Sequence, residues 1–317
     1  MNVLTLASLS LPWRRRPGTL AVLLPRDTEL ADQLLQRRVK ARLFGEAAPP
    51  VQIGAYALTA RLGAGGMGVV YRAHDPELDR HVALKIMHPE LTGAAERLRR
   101  EARALARLAH PNVVSVFEIG DHGGQVYVAM ELVEGVNLRE WLGGLGPADA
   151  VPLRTRLEPF VQAARGLHAA HAAGLVHCDF KPENVLVGAD GRVRVADFGI
   201  ASQVGAAARE RTTTAPVLAG LRTDAGELAG TPAYMAPEQL TGGVLDARVD
   251  QFAFCVALHE ALAGVRPYAG DDLHALIAAV TTGAPRPLPR AFPAPLRALT
   301  RRRGRARRRT PRCCRRR

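Results

Sequence analysis

Apolar residues recur every three or four positions in several stretches of the chain, which is the spacing of a helix with one buried face. We predict helices over residues 29–45, 93–108, 153–173, 251–262 and 271–282. The first of these ends at Gly45, and Ala47-Ala48-Pro49-Pro50 after it is typical of a linker. Residues 1–50 are therefore interpreted as an N-terminal extension with an amphipathic helix, which either packs on the rest of the chain or binds a partner.

Apolar and β-branched residues also form short runs between turn residues, the pattern of β-strands. These runs cover residues 56–62, 71–74, 82–85, 113–119, 125–131 and 185–187. Most of them lie in the first half of the chain, whereas the longest predicted helices lie in the second half. The sequence therefore predicts a strand-rich segment followed by a helix-rich one.

The basic residues are unevenly distributed. The formal net charge is +13, and residues 301–317 contain eleven arginines and no acidic residue. The rest of the chain is close to neutral, which argues against nucleic-acid binding by the chain as a whole. The tail has no apolar periodicity, so we predict that residues 301–317 are disordered. This tail is either the out-of-frame reading of a GC-rich gene or a basic segment that binds nucleic acid or acidic lipid.

The apolar runs and the cysteines bear on location. Arg14-Arg15-Arg16 follows the first apolar run, whereas a secretory signal has its charge before that run. No apolar stretch reaches the ~18–20 residues that a membrane span needs. The four cysteines lack the spacing of a metal site; they are Cys178, Cys255, Cys313 and Cys314. We therefore expect reduced thiols and a cytoplasmic protein.

The segment His177-Cys178-Asp179-Phe180-Lys181-Pro182-Glu183-Asn184, with Asp197-Phe198-Gly199 after it, has the most specific candidate chemistry. Phosphoryl transfer needs a carboxylate that orients the attacking hydroxyl and a cation beside the moving phosphoryl group. It also needs an amide and a second carboxylate that hold Mg²⁺. Asp179, Lys181, Asn184 and Asp197 supply these groups in that order, at a spacing that is unlikely to arise by chance.

A glycine-rich segment, Gly63-Ala64-Gly65-Gly66-Met67-Gly68-Val69-Val70, lies between two predicted strands. Glycine allows backbone amides to approach phosphate oxygens closely. Strands on both sides argue against a dinucleotide-binding fingerprint, which runs from a strand into a helix. Taken alone, the motif is equally compatible with a simple glycine-rich hairpin.

Lysine is rare in this chain, which contains only Lys40, Lys85 and Lys181 beside 40 arginines. Lys85 ends the apolar run Val82-Ala83-Leu84, where a buried charge needs a partner. Glu101 projects from the apolar face of the predicted helix 93–108, which is unusual for an unpaired acid. We predict that Glu101 pairs with Lys85; the alternative is a boundary salt bridge between Glu101 and an arginine.

Through these motifs the chain resembles the eukaryotic-type protein kinases, specifically the bacterial Ser/Thr kinases, over roughly residues 56–300. The resemblance implies an α+β, two-lobed fold. A small β-rich N-lobe with one main helix would cover residues 56–131, and a larger, mostly helical C-lobe would cover residues 134–300. If the tail replaces the last helices of the family, the C-lobe is truncated and Glu238 lacks the late arginine with which it pairs in relatives.

The resemblance also implies the reaction, which is transfer of the ATP γ-phosphoryl group to Ser or Thr hydroxyls of protein substrates, with Mg²⁺ and with autophosphorylation. Asp179, Lys181, Lys85 and Glu101 would be catalytic, and Asn184 and Asp197 would bind the metal. The nucleotide would contact Leu62, Gly63, Ala64, Gly65, Gly66, Met67, Gly68, Val69, Val70, Ala83, Lys85, Met130, Glu131, Val133, Asn184 and Asp197.

Other roles follow from the same resemblance. Met130 would be the gatekeeper, and Glu131-Leu132-Val133 would be the hinge whose backbone holds adenine. Leu105, His177 and Phe198 would form an apolar spine. Gly230-Thr231-Pro232-Ala233-Tyr234-Met235 would dock the polypeptide substrate.

Cys178 departs from the family pattern, because many relatives have an arginine there that pairs with a phosphorylated activation segment. We therefore expect activation to depend less on phosphorylation of that segment, in which Thr212, Thr213 and Thr214 are candidate autophosphorylation sites. A redox-sensing thiol is the alternative role for Cys178.

Three other functions remain open. The abnormal C-terminus favours a catalytically impaired kinase fold that acts as a binding module. A small-molecule phosphotransferase of related fold is disfavoured by the glycine-rich segment and by the stretch from Gly230 to Glu238. Nucleic-acid binding is expected only through the arginine-rich tail.

Overall fold

The computed structural model describes residues 50–65, 68–88, 103–146, 151–198, 231–270 and 272–300, together with Gln36, which is helical. The rest of the predicted helix 29–45, most of the predicted helix 93–108, residues 199–230 and the tail 301–317 lie outside these ranges. Within them the chain forms a β-sheet N-lobe and a mostly helical C-lobe. The predicted α+β, two-lobed architecture is confirmed.

Six antiparallel strands form the N-lobe sheet in the order β1-β2-β3-β4-β6-β5. Their bounds are Gln52–Ile53 (β1), Tyr56–Gly65 (β2), Gly68–Asp75 (β3), Arg80–Met87 (β4), Val116–His122 (β5) and Gln125–Glu131 (β6). Strand β4 is central, and Val82 to Met87 are all buried. Because side chains on both of its faces are covered, the strand has a continuous apolar sequence with Lys85 as the exception.

The strand predictions hold with one correction. The strand expected to begin at Val113 begins at Val116, and Val113 instead forms an isolated bridge with Val195 of the C-lobe. Gly68, the last glycine of the predicted phosphate loop, is required by packing. A Cβ there would lie 2.1 Å from the carbonyl oxygen of Ile86 on β4, so a larger residue would separate β3 from β4.

The C-lobe contains six helices within the described ranges and a small three-stranded sheet. The helices are Leu138–Gly144 (α1), Leu153–Ala172 (α2), Pro237–Thr241 (α3), Ala247–Ala263 (α4), Leu273–Thr282 (α5) and Ala294–Leu299 (α6). The strands are Gly135–Asn137 (β7), Val185–Gly188 (β8) and Val193–Val195 (β9), in the order β7-β8-β9. Short 3-10 turns cover Pro182–Asn184 and Thr231–Tyr234.

Helices α2 and α5 confirm the predictions from periodicity, and α4 corrects one. We expected α4 to begin near Asp250, but it begins at Ala247, where the Asp246 side chain accepts a hydrogen bond from the N–H of Arg248. Asp250 is therefore inside the first turn rather than at the end of the helix. Helices α1 and α6 were not predicted, because six or seven residues are too few to show a repeating apolar face.

Aromatic packing joins the C-lobe helices to residues His177–Asn184, called the catalytic segment after its predicted role. The ring of Phe254 on α4 lies 5.8 Å from that of Phe160 on α2 and 5.7 Å from that of Phe180, measured between ring centroids. Phe160 and Phe180 are almost fully buried. Among the helices in the described ranges, none combines the length and the apolar character that a membrane span requires.

Candidate active site

An ion pair lies inside the cleft between the lobes. The Lys85 ammonium on β4 lies 2.8 Å from a carboxylate oxygen of Asp197, which follows β9. Lys85 is buried, whereas the Asp197 side chain remains 35% exposed. Burial by itself would raise the pKa of Asp197, but the Lys85 ammonium outweighs it and holds that pKa below its ordinary value, with a smaller contribution from the Lys181 ammonium. Asp197 is therefore an anion at neutral pH.

A small cavity of about 30 Å³ lies behind this pair. Lys85, Leu105, Met130, Asp197 and Phe198 line it together with five other residues. The proposed gatekeeper, the lysine and the aspartate thus meet at one point between the lobes, although they lie far apart in the sequence.

The catalytic segment brings three polar side chains into direct contact. The Lys181 ammonium lies 2.9 Å from Asp179 Oδ2, and the Asn184 amide nitrogen donates to the same oxygen at 3.1 Å. Asn184 also donates to the Asp179 carbonyl oxygen at 2.8 Å. The N–H of Ala196 donates to the Asn184 carbonyl oxygen at 2.9 Å, which places the Asp197 segment directly beside this cluster.

His177 holds the catalytic segment against the Asp197 segment. Its Nδ1 accepts the backbone N–H of Asp179 at 3.2 Å, so Nε2 carries the proton and donates to the Ala196 carbonyl oxygen at 2.9 Å. The His177 ring also packs on Phe198, with centroids 4.6 Å apart. Leu105 and Phe198 are buried in the same apolar cluster.

Asp250 anchors the same segment from below. Its side chain is fully buried, and its two carboxylate oxygens accept the backbone N–H groups of His177 and Cys178, each at 2.8 Å. The His171 ring lies 2.7 Å from the same carboxylate. A buried carboxylate with three polar partners is strongly held, and it fixes the backbone immediately before Asp179.

Cys178 has a left-handed backbone conformation with φ +61°. Its N–H reaches Asp250, and its carbonyl oxygen accepts a hydrogen bond from the Gln239 side chain at 2.8 Å. This conformation is uncommon for a residue with a Cβ, and the two hydrogen bonds hold the backbone in it. Gln239 belongs to α3, so the segment after the predicted docking stretch supports the catalytic segment as well.

The described part of the glycine-rich loop forms the ends of β2 and β3. Gly63 and Gly65 have open space where a Cβ would project, so protein packing does not require glycine at either position. His88 contacts the Gly65 carbonyl oxygen at 3.1 Å. Gly66 and Met67 lie outside the described residues. The arrangement leaves room for a ligand's phosphate groups against an exposed backbone.

The predicted hinge begins at Glu131, the last residue of β6, and residues 132–134 have no regular secondary structure. Met130 and Val133 are half-buried, as expected for a rim around a planar ligand. Glu134, at the end of the hinge, forms an ion pair with Arg72 at 3.2 Å. Asn137 caps α1 by accepting the N–H of Glu140 at 3.0 Å.

A second polar network lies beside the predicted substrate-docking stretch. Arg139 on α1 contacts Glu183, Glu260 and the Tyr234 hydroxyl, and Tyr234 also donates to Glu260. Burial and the bond to Glu260 raise the pKa of Tyr234 well above its ordinary value. The network joins the catalytic segment, α4 and the docking stretch into one unit.

The residues present fit ATP and Mg²⁺. Asp197 offers an anionic carboxylate that is partly exposed, and Asn184 directs its amide nitrogen at Asp179, so its amide oxygen is the atom left for a metal. Two hard oxygen donors suit an ion that also binds phosphate oxygens and water. Within the described ranges no cluster of three or more His, Cys, Asp and Glu side chains forms a metal site supplied by protein alone.

The structure thus brings together Lys85, Asp179, Lys181, Asn184 and Asp197. Glu101, the predicted partner of Lys85, lies outside the described residues. The side chain of Thr231 and residues 212–214 are likewise not described. Sequence reasoning missed the roles of Arg139 and Gln239, although an acidic Asp250 inside an apolar helix was a usable signal for the anchor.

The protein kinase domain model matches residues 56–290. The serine/threonine-protein kinase PknL of Mycobacterium tuberculosis is 41% identical over 220 residues, which are 68% of this chain and 51% of PknL. PknE of Mycobacterium bovis is 40% identical over 242 residues, which are 74% of this chain and 39% of PknE. The chain therefore spans about half the length of these curated relatives or less.

The fold is also similar to that of a solved kinase domain. The kinase domain of Mycobacterium tuberculosis PknI superposes with a TM-score of 0.55 at 27% identity, covering 76% of this chain and 93% of that domain.

Proposed function

The chain belongs to the protein kinase family, and we propose that it is a serine/threonine protein kinase that transfers the γ-phosphoryl group of Mg·ATP to Ser and Thr hydroxyls of protein substrates and of itself. One observation carries the proposal. Lys181 and Asn184 both contact the Asp179 carboxylate beside Asp197, which is paired with Lys85 across the cleft. A fold that had lost catalysis would be under no chemical requirement to keep these five groups together in the cleft.

Asp179 is proposed to orient the acceptor hydroxyl and take up its proton. Lys181, 2.9 Å from Asp179, is placed to offset charge on the phosphoryl group during transfer. When bound, Mg·ATP supplies the transferable group and a divalent charge, and Asn184 and Asp197 are the residues that would hold the metal. The network beneath Asp179 keeps these groups in position, so most of the catalytic effect would come from positioning and electrostatics.

The nucleotide is proposed to lie between the glycine-rich loop and the hinge. Backbone groups of Leu62, Gly63, Gly65 and the rest of that loop would face phosphates, and Lys85 would contact them as a cation. Ala83, Met130, Glu131 and Val133 would line the base, with hinge backbone atoms as its hydrogen-bond partners. Glu101 is proposed to hold Lys85 when the nucleotide is bound.

The finer assignments are also proposals. The catalytic domain is taken as residues 56–300, with the preceding residues 1–50 as an extension and the tail after it. A non-specific protein-serine/threonine kinase class fits the docking stretch around Tyr234. We place the catalytic domain in the cytoplasm, where ATP is available; Cys178 and Cys255, the cysteines within the described ranges, are thiols there.

The test is incubation of the purified chain with Mg·ATP labelled on the γ-phosphate, beside the variants Asp179→Asn and Lys85→Met. Phosphoamino-acid analysis should find label on Ser and Thr in the wild type, and both variants should lose it at least about 100-fold. Circular dichroism of each protein establishes that the comparison is between folded chains.

Two results would contradict the proposal. A folded wild-type chain that binds ATP but incorporates no label would be a kinase-fold binding module. Label on a small-molecule acceptor but not on polypeptide would indicate a small-molecule phosphotransferase.

A further inference from the structure

Arg194 is a buried arginine in β9, between Val193 and Val195 and three residues before Asp197. Its side chain is only 5% exposed, and its Nε lies 2.7 Å from a carboxylate oxygen of Glu131. Its Nη2 lies 2.8 Å from Asp190 Oδ2, and its Nη1 donates to Asp190 Oδ1 at 3.2 Å. A buried guanidinium with this many charge-assisted bonds has one fixed orientation.

Glu131 is the last residue of β6 and the first residue of the proposed hinge. Its second carboxylate oxygen accepts the N–H of Ser115 at 3.4 Å, and its own N–H donates to the Ser115 carbonyl oxygen at 2.8 Å. Ser115 and Arg194 therefore hold the same carboxylate, one through each oxygen. The entry of the chain into the hinge is fixed by these contacts.

The turn between β8 and β9 is built to accommodate the pair. A Cβ on Gly188 would lie 2.4 Å from Asp190 Oδ1 and 2.9 Å from Arg194 Nη1, so a larger residue would displace the ion pair. Ala189 in the same turn donates its N–H to the Glu134 carbonyl oxygen at 2.8 Å. Both ends of segment 131–134 are thus attached to this turn or to the strand after it.

We infer that Arg194 is a positioning residue for adenine binding, which fixes the hinge against the strand that leads to Asp197. The inference rests on the proposed function and names a residue that would not itself touch the nucleotide. Because β9 leads directly to Asp197, one rigid unit would set the spacing between the segment that holds the base and the carboxylate that holds the metal. Loss of Arg194 should weaken recognition of the base and leave the reacting groups in place.

The experiment compares Arg194→Met and Arg194→Lys with the matched control Arg192→Met. Arg192 also pairs with Asp190, at 2.7 Å, but its side chain is 55% exposed and does not contact the hinge. Each protein is assayed for kcat and for the KM of ATP. Adenosine and tripolyphosphate, which carry the two halves of the nucleotide, are then used as separate competitors of ATP.

Arg194→Met should raise the KM of ATP and the inhibition constant of adenosine about tenfold, with kcat and the inhibition constant of tripolyphosphate within about twofold of wild type. Arg194→Lys keeps the charge but not the fork of donors, so it should be intermediate. Arg192→Met should behave as wild type. If Arg194→Met fails to fold, Gly188→Ala, whose added methyl group would displace the Arg194–Asp190 pair, should show the same separation between adenosine and tripolyphosphate.

Equal weakening of both competitors would mean a general structural role and would overturn the inference. An unchanged KM for ATP, or a variant more active than wild type, would overturn it as well while leaving the proposed kinase activity intact. A wild-type chain that binds neither ATP nor adenosine would overturn the proposed function and this inference with it.

Discussion

The catalytic segment and the glycine-rich loop face the same cleft but are held in different ways. Residues His177–Asn184 are fixed by Asp250, by Gln239 and by the Ala196 carbonyl oxygen, all through contacts within the protein. Gly63 and Gly65 have open space around them, and Leu62 is half-exposed. On the proposed function, the chain builds in advance the side that would handle the proton, and it leaves the side that would bind phosphate to be completed by the ligand.

Ion pairs connect the two sides. Lys85 and Asp197 meet inside the cleft, Arg72 and Glu134 meet at its rim, and Arg194 binds Glu131 behind the hinge. The contrast predicts that changes in the contacts that hold the catalytic segment from behind cost folding stability. Changes in the side chains that face the cleft should cost activity instead.

The largest effect on stability is expected from Asp250→Ala. The substitution leaves the N–H groups of His177 and Cys178 buried without acceptors, and each such donor costs about 1–3 kcal/mol. We expect the free energy of unfolding to fall by about 4 kcal/mol in total, measured by urea denaturation.

Asp246→Ala is the matched control for that measurement. It also removes an aspartate side chain at this helix, but that side chain serves only as the N-cap. The free energy of unfolding should therefore fall by about 1 kcal/mol. Equal losses for the two variants would contradict the anchoring role of Asp250.

Lys85→Met should have a small effect on stability and a large effect on activity. Because the Asp197 carboxylate remains partly exposed, loss of its partner should change the free energy of unfolding by less than about 1 kcal/mol. Phosphoryl transfer should fall at least about 100-fold. Arg80→Met changes a basic residue on the same strand that pairs with Asp75 outside the cleft, and its phosphorylation rate should stay close to that of wild type.

The pH dependence of stability gives a further test of the Lys85–Asp197 pair. The pKa of Asp197 is lowered in the folded chain, so the pair contributes stability that is fully present above the unfolded value of about 3.9 and is lost as the pH falls through the folded value. The stability difference between wild type and Lys85→Met should thus be largest at neutral pH and shrink as the pH falls into the acid range. A difference that grows in acid would contradict the assignment.

The smallest effect is expected from the activation segment. Because Cys178 replaces the arginine that would pair with a phosphorylated loop, the triple variant Thr212→Ala, Thr213→Ala, Thr214→Ala should keep its activity within about twofold. Initial rates on an exogenous peptide measure this. A loss of more than about tenfold would show that the segment acts through another basic group.

Local pattern was sufficient for the six predicted strands and for helices α2 and α5, because apolar spacing is a property of neighbouring residues. It placed the start of α4 wrongly near Asp250, because the continuous apolar run begins only after that residue. The helix begins at Ala247, and the Asp246 side chain caps it.

Contacts between distant residues could not be derived from local pattern. Lys85 lies 112 residues from Asp197, and no local rule selects that carboxylate among the others. Arg194 was overlooked for a different reason. The chain has 40 arginines, so arginine as a residue type does not single out a position. The usable indication was the position of Arg194 between two apolar residues of a strand.

Because the catalytic segment is held by contacts within the protein, we expect it to be assembled before any nucleotide binds. Amide hydrogen exchange of the wild-type chain, with and without Mg·ADP, tests it most directly. The account predicts that residues 177–184 exchange slowly in both states, while residues 63–70 become protected only with nucleotide. Fast exchange of residues 177–184 that slows on addition of Mg·ADP would contradict it.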